Sequence, residues 1–339
     1  CVTFLNVECK LDFPNIWNDR RLSKLWLYNL HYFEDLISIG SQKNNEMYIE
    51  LLDQWISDNP KGIGVGWEPY TISLRVCNIL KAWLQGLELS ETQLNSVYNQ
   101  IDFLSRNLET HLLGNHYFVN LKALYFAGTI YQNQYWIKIS TRGLLIELDE
   151  QVLKDGANFE LSPMYHSLML LDLLDLYNLI LAYSTNDNSK LQKRLQKIIP
   201  KMLYFMEEMS YNLSELAHFN DCSNGVSLKP YLIIDYATRL GIKPLSQKNR
   251  RNLSDFSASG YFVAKQGPAK IIFDAGQIGP NYIPGHGHAD TLSFEFALSE
   301  LQIFTNLGIS RYDVCAERLS QRKTRSHNTI EVDNKDSSE

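Results

Sequence analysis

The sequence predicts a chain in two parts, a series of helices followed by an antiparallel sheet. Helical apolar spacing runs from about residue 20 to residue 250, and after "KNRRNLSDFSASG" the period changes to two. At 339 residues the chain is long enough for two structural units. The expected organisation is therefore an all-α array or (α/α) toroid over 1–255 and the start of an antiparallel β-sandwich over 256–339.

The helical part is read element by element. In "ISLRVCNILKAWLQGLEL", Val76, Ile79, Leu80, Trp83, Leu84 and Leu87 form one stripe, and Leu191, Leu195, Ile198, Met202 and Phe205 do the same in "LQKRLQKIIPKMLYF". Further helices are predicted at 22–39, 46–58, 92–109, 116–131, 134–154 and 165–184, separated by breaks such as "DNPKGIGVGWEP". In the second part, "YFVAKQ", "AKIIFDAG", "LSFEFALS", "LQIFTNLG" and "NTIEVDN" read as short strands. Alternation in the third puts Leu292, Phe294, Phe296 and Leu298 on one face, the face expected to pack. The chain stops in "KDSSE" just after a strand and begins at Cys1, which reads as a fragment of a longer protein.

Composition narrows the function classes. The net charge of −6 argues against a general nucleic-acid binder, although the run Arg318, Arg322, Lys323, Arg325 either serves an anionic substrate or is a solvated loop. Nineteen Tyr and six Trp supply rings that stack on flat ligands such as sugars. Cysteines at 1, 9, 77, 222 and 315 have no metal or redox spacing and read as free thiols. The apolar run "LMLLDLLDL" is interrupted by Asp172 and Asp175, so no membrane span is expected.

Polar groups gather in a few places. "IPGHGHADTLSFEF" sets His286, His288 and Asp290 at alternate positions, which share one face of an extended chain, with Gly285 and Gly287 allowing a tight turn or a close approach. "LLGNHYFVN" carries Asn115 and His116 before an apolar helix, where Asn115 either caps the helix or binds a ligand. In "DGANFELSPMYHSLML", Ser162 and Pro163 start a helix whose first turn holds Tyr165 and His166. Glu160, in the same stretch, fits a general acid in glycoside hydrolysis if a second carboxylate joins it, and Asp221 of "HFNDCSNG" is the available partner. His327 of "RSHNTIEVDN" is placed to join His286 and His288 around a metal, since imidazole suits zinc.

In chain order, "LWLYNLHYFEDL", "WEPYTISLRVCNIL", "LLGNHYFVN", "DGANFELSPMYHSLML", "GHGHADTLSFEFAL" and "SHNTIEVDN" resemble the heparinase II/III-like polysaccharide lyases. The resemblance implies an N-terminal (α/α) toroid, a C-terminal antiparallel β-sandwich and a site between them. It also implies β-elimination on a uronate-containing acidic polysaccharide or oligosaccharide. The compartment stays open between the periplasm and cytoplasm of a bacterium. Asn115 and His116 then grip the substrate's acidic group, Tyr165 is the catalytic tyrosine and His286 the catalytic histidine. Trp67, Glu160 and Arg325 are expected at the substrate. His288 and His327 match ligands of zinc or another divalent metal, and Asn306 of "FTNLGISRYD" falls where the family's third ligand is an Asp. Two other classes stay open: a glycoside hydrolase on the same toroid using Glu160 and Asp221, and a non-catalytic glycan-binding or assembly protein of this fold.

Overall fold

The computed structural model describes residues 1–183, 189–245, 252–299 and 301–338. The last residue of the predicted helix 165–184, the first residues of "KNRRNLSDFSASG" and Glu339 lie outside the described residues. The chain forms two compact units, Cys1–Leu144 and Leu145–Glu339.

The first unit opens with a hairpin of β1 (Val2–Phe4) and β2 (Val7–Cys9), whose two turn residues, Leu5 and Asn6, both have positive φ. Helix α1 (Lys24–Tyr32) starts where the Ser23 side chain accepts from Trp26 N and stops at Phe33, at φ 53°. That left-handed residue splits the predicted helix 22–39, leaving only a 3₁₀ turn over Glu34–Ile37 beyond it. There follow α2 (Asn45–Asp58), α3 (Pro69–Leu84), α4 (Glu91–Ser105), α5 (Gly114–Ile130) and α6 (Gln134–Gln151), which crosses the boundary between units. Each overlaps its predicted segment. Helix α4 is entered through a capping box of Ser90 and Gln93. Helix α3 packs on α1, α4 and α5. At its centre the fully buried Arg75 donates to Gln100 Oε1, the His31 carbonyl and the Gly66 carbonyl, and lies 3.9 Å from the Trp55 ring centroid.

The second unit holds α7 (Pro163–Tyr183), α8 (Ser189–Glu208), a small hairpin of β3 (Ser210–Tyr211) and β4 (Glu215–Leu216), and α9 (Pro230–Arg239). Both α9 and the hairpin escaped the periodicity reading. By length and composition alone helix α7 matches a membrane span, but 67% of its most apolar window is buried inside the protein, as in a core helix. It packs on α8 and α9.

Strands β5 (Leu253–Phe256), β6 (Tyr261–Gln266), β7 (Ala269–Asp274), β8 (Phe294–Leu298) and β9 (Leu301–Phe304) pair in sequence order into one antiparallel sheet, followed by helix α10 (Ala316–Gln321). Four strands lie where period two predicted them. The fifth, "NTIEVDN", is irregular apart from a single bridge between Val332 and Lys335.

The packed face of β8 is the opposite of the one expected. Glu295 and Ala297 are buried, while Phe294 and Phe296 are half-buried and Leu298 is exposed. The register explains it: Val263 pairs with Ile272 and Ile272 with Glu295, so Glu295 lies on the face that packs on Phe205, Met209, Tyr211 and Phe219. Glu295 is tolerated there because Tyr211 Oη, His218 N and Asn306 N all donate to it. Burial pushes its carboxyl pKa up, and those donors oppose the shift.

A tight approach joins two turns at the edge of this face. Gly260 has φ 88°, and a Cβ there would stand 2.1 Å from Gly276 Cα. No side-chain movement relieves a clash with backbone. Gly260→Ala is expected to lower the unfolding free energy by about 2–4 kcal/mol, read as a drop in the urea midpoint; an unchanged midpoint would show that the two turns can separate freely.

Candidate active site

In the first unit, two of the expected residues sit in the first turn of α5. Its N-cap is Leu113, at φ 58° with no side-chain cap, so Asn115 is not the capping residue. The Asn115 amide instead donates to Tyr70 Oη at 3.2 Å. His116 packs on the Tyr70 ring at 4.4 Å between centroids, and its Nδ1 faces Glu109 Oε1 at 3.2 Å. The other Glu109 oxygen accepts from Asn120 Nδ2 at 3.0 Å, and Glu109 is buried. The carboxylate thus fixes one nitrogen of His116. Trp67 is not placed as expected: it is a core residue, its indole N–H donating to the Asn59 carbonyl and its ring packed on Trp55 and Phe103.

The second unit gathers more. Helix α7 starts at Pro163, with Ser162 Oγ accepting from Tyr165 N, which presents Tyr165 from the first turn. The Tyr165 hydroxyl donates to Tyr312 Oη at 2.9 Å, and its ring lies on the His286 ring at 4.0 Å between centroids. His286 stands between two carboxylates, Nδ1 at 2.8 Å from Asp221 Oδ2 and Nε2 at 3.4 Å from Glu160 Oε2. Asp221 is fully buried. It also accepts from His288 Nε2 at 2.9 Å and from both terminal nitrogens of Arg318, at 2.5 and 2.7 Å. Burial alone would raise the Asp221 pKa, but bonds from His286, His288 and Arg318 outweigh it and hold the carboxylate well below its usual range. Burial pushes the Tyr312 hydroxyl up, so it stays protonated.

The basic run divides between internal and exposed positions. Arg318 is buried on Asp221, and Arg322 donates twice to the Gly287 carbonyl, at 3.0 and 2.7 Å. Arg325 is exposed and touches Glu331 at 3.5 Å. Gly287 is needed because a Cβ there would meet Ile278 at 2.4 Å; Gly285 faces open space.

His288, His327 and Asn306 do come together. Asp221 accepts from His288 Nε2, which leaves the lone pair on Nδ1. His327 Nδ1 is 3.2 Å from Asn306 Oδ1, an oxygen that also accepts from Asn328 N, so His327 donates there and carries its lone pair on Nε2. The two bare nitrogens face each other at 3.3 Å. Two nitrogens bound at 2.0–2.1 Å to one tetrahedral ion stand about 3.3 Å apart, so the pair fits two ligands of such an ion. Asn306 orients His327 from behind and is not itself directed at that point. Among the described residues no group of three or more His, Cys, Asp or Glu side chains is arranged to hold a metal. His286, bound to Asp221 and beside Tyr165, is separate from the pair.

The heparinase II/III N-terminus profile matches residues 26–236, and the heparinase II/III-like C-terminal profile matches 248–339. The chain belongs to the heparinase II/III-like family. Heparin-sulfate lyase of Pedobacter heparinus is 22% identical over 339 aligned residues, covering 87% of this chain and 49% of that protein. The crystal structure of heparinase III matches with a TM-score of 0.70 at 19% identity, over 92% of this chain and 55% of that one. Heparan sulfate lyase HepC from Pedobacter heparinus matches with a TM-score of 0.61 at 19% identity, over 95% and 56%. These likenesses establish the fold, a helix-rich N-terminal region followed by an antiparallel sheet. The chain spans about half the length of these heparinase II/III-like relatives.

Sequence reasoning missed Tyr312, Glu109 and the internal role of Arg318. Tyr312 lies in an irregular segment with no pattern around it, and the basic run around Arg318 reads equally well as surface. His166 was named beside Tyr165, yet it is buried: Nδ1 accepts from Asn158 N and Nε2 donates to the Met202 carbonyl. Burial holds its pKa down at about 4. Since the fold favours the neutral form, this stabilisation is complete above the ordinary value near 6.5 and is lost as pH falls toward 4. The urea midpoint should therefore fall between pH 6.5 and 4, and His166→Gln should flatten the slope by up to about 1.4 kcal/mol per pH unit; an identical slope in the variant would exclude His166 as the titrating group.

Proposed function

We propose that this chain carries the catalytic part of a lyase that breaks a uronate-containing acidic polysaccharide by β-elimination. The observation that carries the reading is Tyr165 in the first turn of α7, its hydroxyl on Tyr312 and its ring on His286. Relatives named as heparin-sulfate and heparan sulfate lyases support the same substrate class.

Elimination removes the proton alpha to the uronate carboxylate. The freed electron pair becomes a carbon–carbon double bond as the bond to the 4-linked oxygen breaks, and that oxygen takes up a proton. Tyr165 is the group for the proton transfer. Tyr312 orients its hydroxyl, and His286 supplies a polar ring beside the phenol. Asn115 and His116 are the residues assigned by resemblance to the substrate's acidic group, where N–H donors stabilise charge that grows in the transition state. A zinc-class ion on His288 and His327 would fasten the loop that bears His286.

The hydrolase reading requires Glu160 and Asp221 as acid and base. Asp221 is fully buried and engaged by four N–H groups, so it has no oxygen left for water or a sugar.

With a panel of uronate polysaccharides, ultraviolet absorbance of an unsaturated product should rise. Tyr165→Phe deletes one hydroxyl and should slow turnover by about 100- to 10,000-fold without altering unfolding. Chains that shorten with no absorbance change, in a reaction abolished by Glu160→Gln, would replace elimination by hydrolysis. For the metal, protein prepared without chelator should carry a zinc-class ion that His288→Ala and His327→Ala lose, and Asn306→Asp should hold it more tightly. Should only Asn306→Asp bind metal, a shared proton joins the two imidazoles in the natural chain.

A further inference from the structure

We infer that Asp221 is the positioning residue that sets the His286 imidazole, in place and in tautomer, against Tyr165; the inference rests on the elimination reading for its kinetic consequence and on geometry for the rest. Its carboxylate has no exposure and four donors. Oδ1 accepts from His288 Nε2 and one Arg318 nitrogen, and Oδ2 accepts from His286 Nδ1 and the other Arg318 nitrogen. Main-chain bonds tie the same residue to the same two partners. Asp221 N donates to the His286 carbonyl at 3.1 Å, and the Asp221 carbonyl accepts from Ser162 Oγ at 2.6 Å. Ser162 Oγ in turn receives Tyr165 N. One residue therefore links the start of the helix bearing Tyr165 to both the backbone and the ring of His286.

The tautomer follows from the donors. An ionised carboxylate only accepts, so His286 carries a proton on Nδ1, and in the neutral imidazole the bare nitrogen is Nε2, 3.4 Å from Glu160 Oε2, with the ring face on Tyr165. Arg318 makes the arrangement directional, because a guanidinium has only donors and its two-point grip prevents the carboxylate from rotating. An amide at this position cannot satisfy the same set. Whichever oxygen becomes NH₂, one Arg318 N–H loses its acceptor and one imidazole, His286 or His288, must reverse its proton. A carboxylate that served packing alone would tolerate that exchange of shape for shape.

The test pairs nitrogen-15 imidazole spectroscopy, which reads tautomers without turnover, with steady-state kinetics on the polysaccharide that the wild type cleaves. In the wild type His286 should show one tautomer, protonated on Nδ1. In Asp221→Ala, which removes both acceptor oxygens and with them the preference for one His286 tautomer, that single signature should be lost, with kcat down about 100-fold or more and KM within about threefold. Retention of the His286 signature overturns the inference, whatever the rate, and so does its loss with kcat unchanged. If Asp221→Ala fails to fold, Arg318→Gln keeps the carboxylate but supplies one donor in place of two. It should blur the His286 tautomer and lower kcat about 10-fold; wild-type spectra or rates in that variant overturn the inference equally. A wild type that yields no unsaturated product, but whose His286 tautomer still depends on Asp221, removes the elimination reading and leaves the positioning role intact.

Discussion

A carboxylate withdrawn from water persists as an ion only if N–H groups take over the hydration of both oxygens. At Asp221 four such groups converge, from His286, His288 and Arg318, and the second unit's polar cluster is arranged around that requirement. The loop "GHGH" is held by its two imidazoles and by Arg322 on the Gly287 carbonyl, and α10 is held by Arg318. Because a buried pair that loses one partner costs about 3–5 kcal/mol, the members stand or fall together. His288 passes the constraint on: with its Nε2 committed to Asp221, only Nδ1 remains to face His327.

The sheet beneath this cluster follows the same logic with a different residue. Glu295 belongs to the packed face of β8, where its oxygens accept from Tyr211, His218 and Asn306. The bond to Asn306 N fixes the segment whose side chain orients His327, so the buried glutamate of the sheet and the histidine pair are mechanically continuous. The alternating apolar residues Phe294 and Phe296 occupy the less buried face. Alternation identified the strand correctly and its inward face wrongly, because a one-residue shift in register exchanges the two faces and only partners on other strands define which one is inside.

In the first unit, charge is again buried with donors and acceptors matched. Arg75 spends its N–H groups on Gln100 and two carbonyls, and Glu109 divides its oxygens between His116 and Asn120. Carboxylates thus hold His116 and His286 each through Nδ1, in two separate units. Asn115 looked like a helix cap from the sequence, yet the cap position is Leu113, one turn of backbone geometry that no side-chain preference announces.

The sequence by itself determined the class of the chain: helical periodicity over the first three quarters, four of the five sheet strands, and an ordered set of motifs sufficient to identify the heparinase II/III-like family. These are local properties, carried by the 3.6 and 2.0 repeats and by short runs of residues. Tertiary structure alone decided that Trp67 is core, that His166 is a buried structural imidazole, that Arg318 serves Asp221, that Tyr312 meets Tyr165 and that Asn306 stands behind His327. The physical reason is separation along the chain: Asp221 and Arg318 are 97 residues apart, and Tyr165 and Tyr312 are 147 apart. A hydrogen bond depends on distances of about 3 Å between atoms, and no pattern in the intervening sequence encodes which distant donor will arrive there.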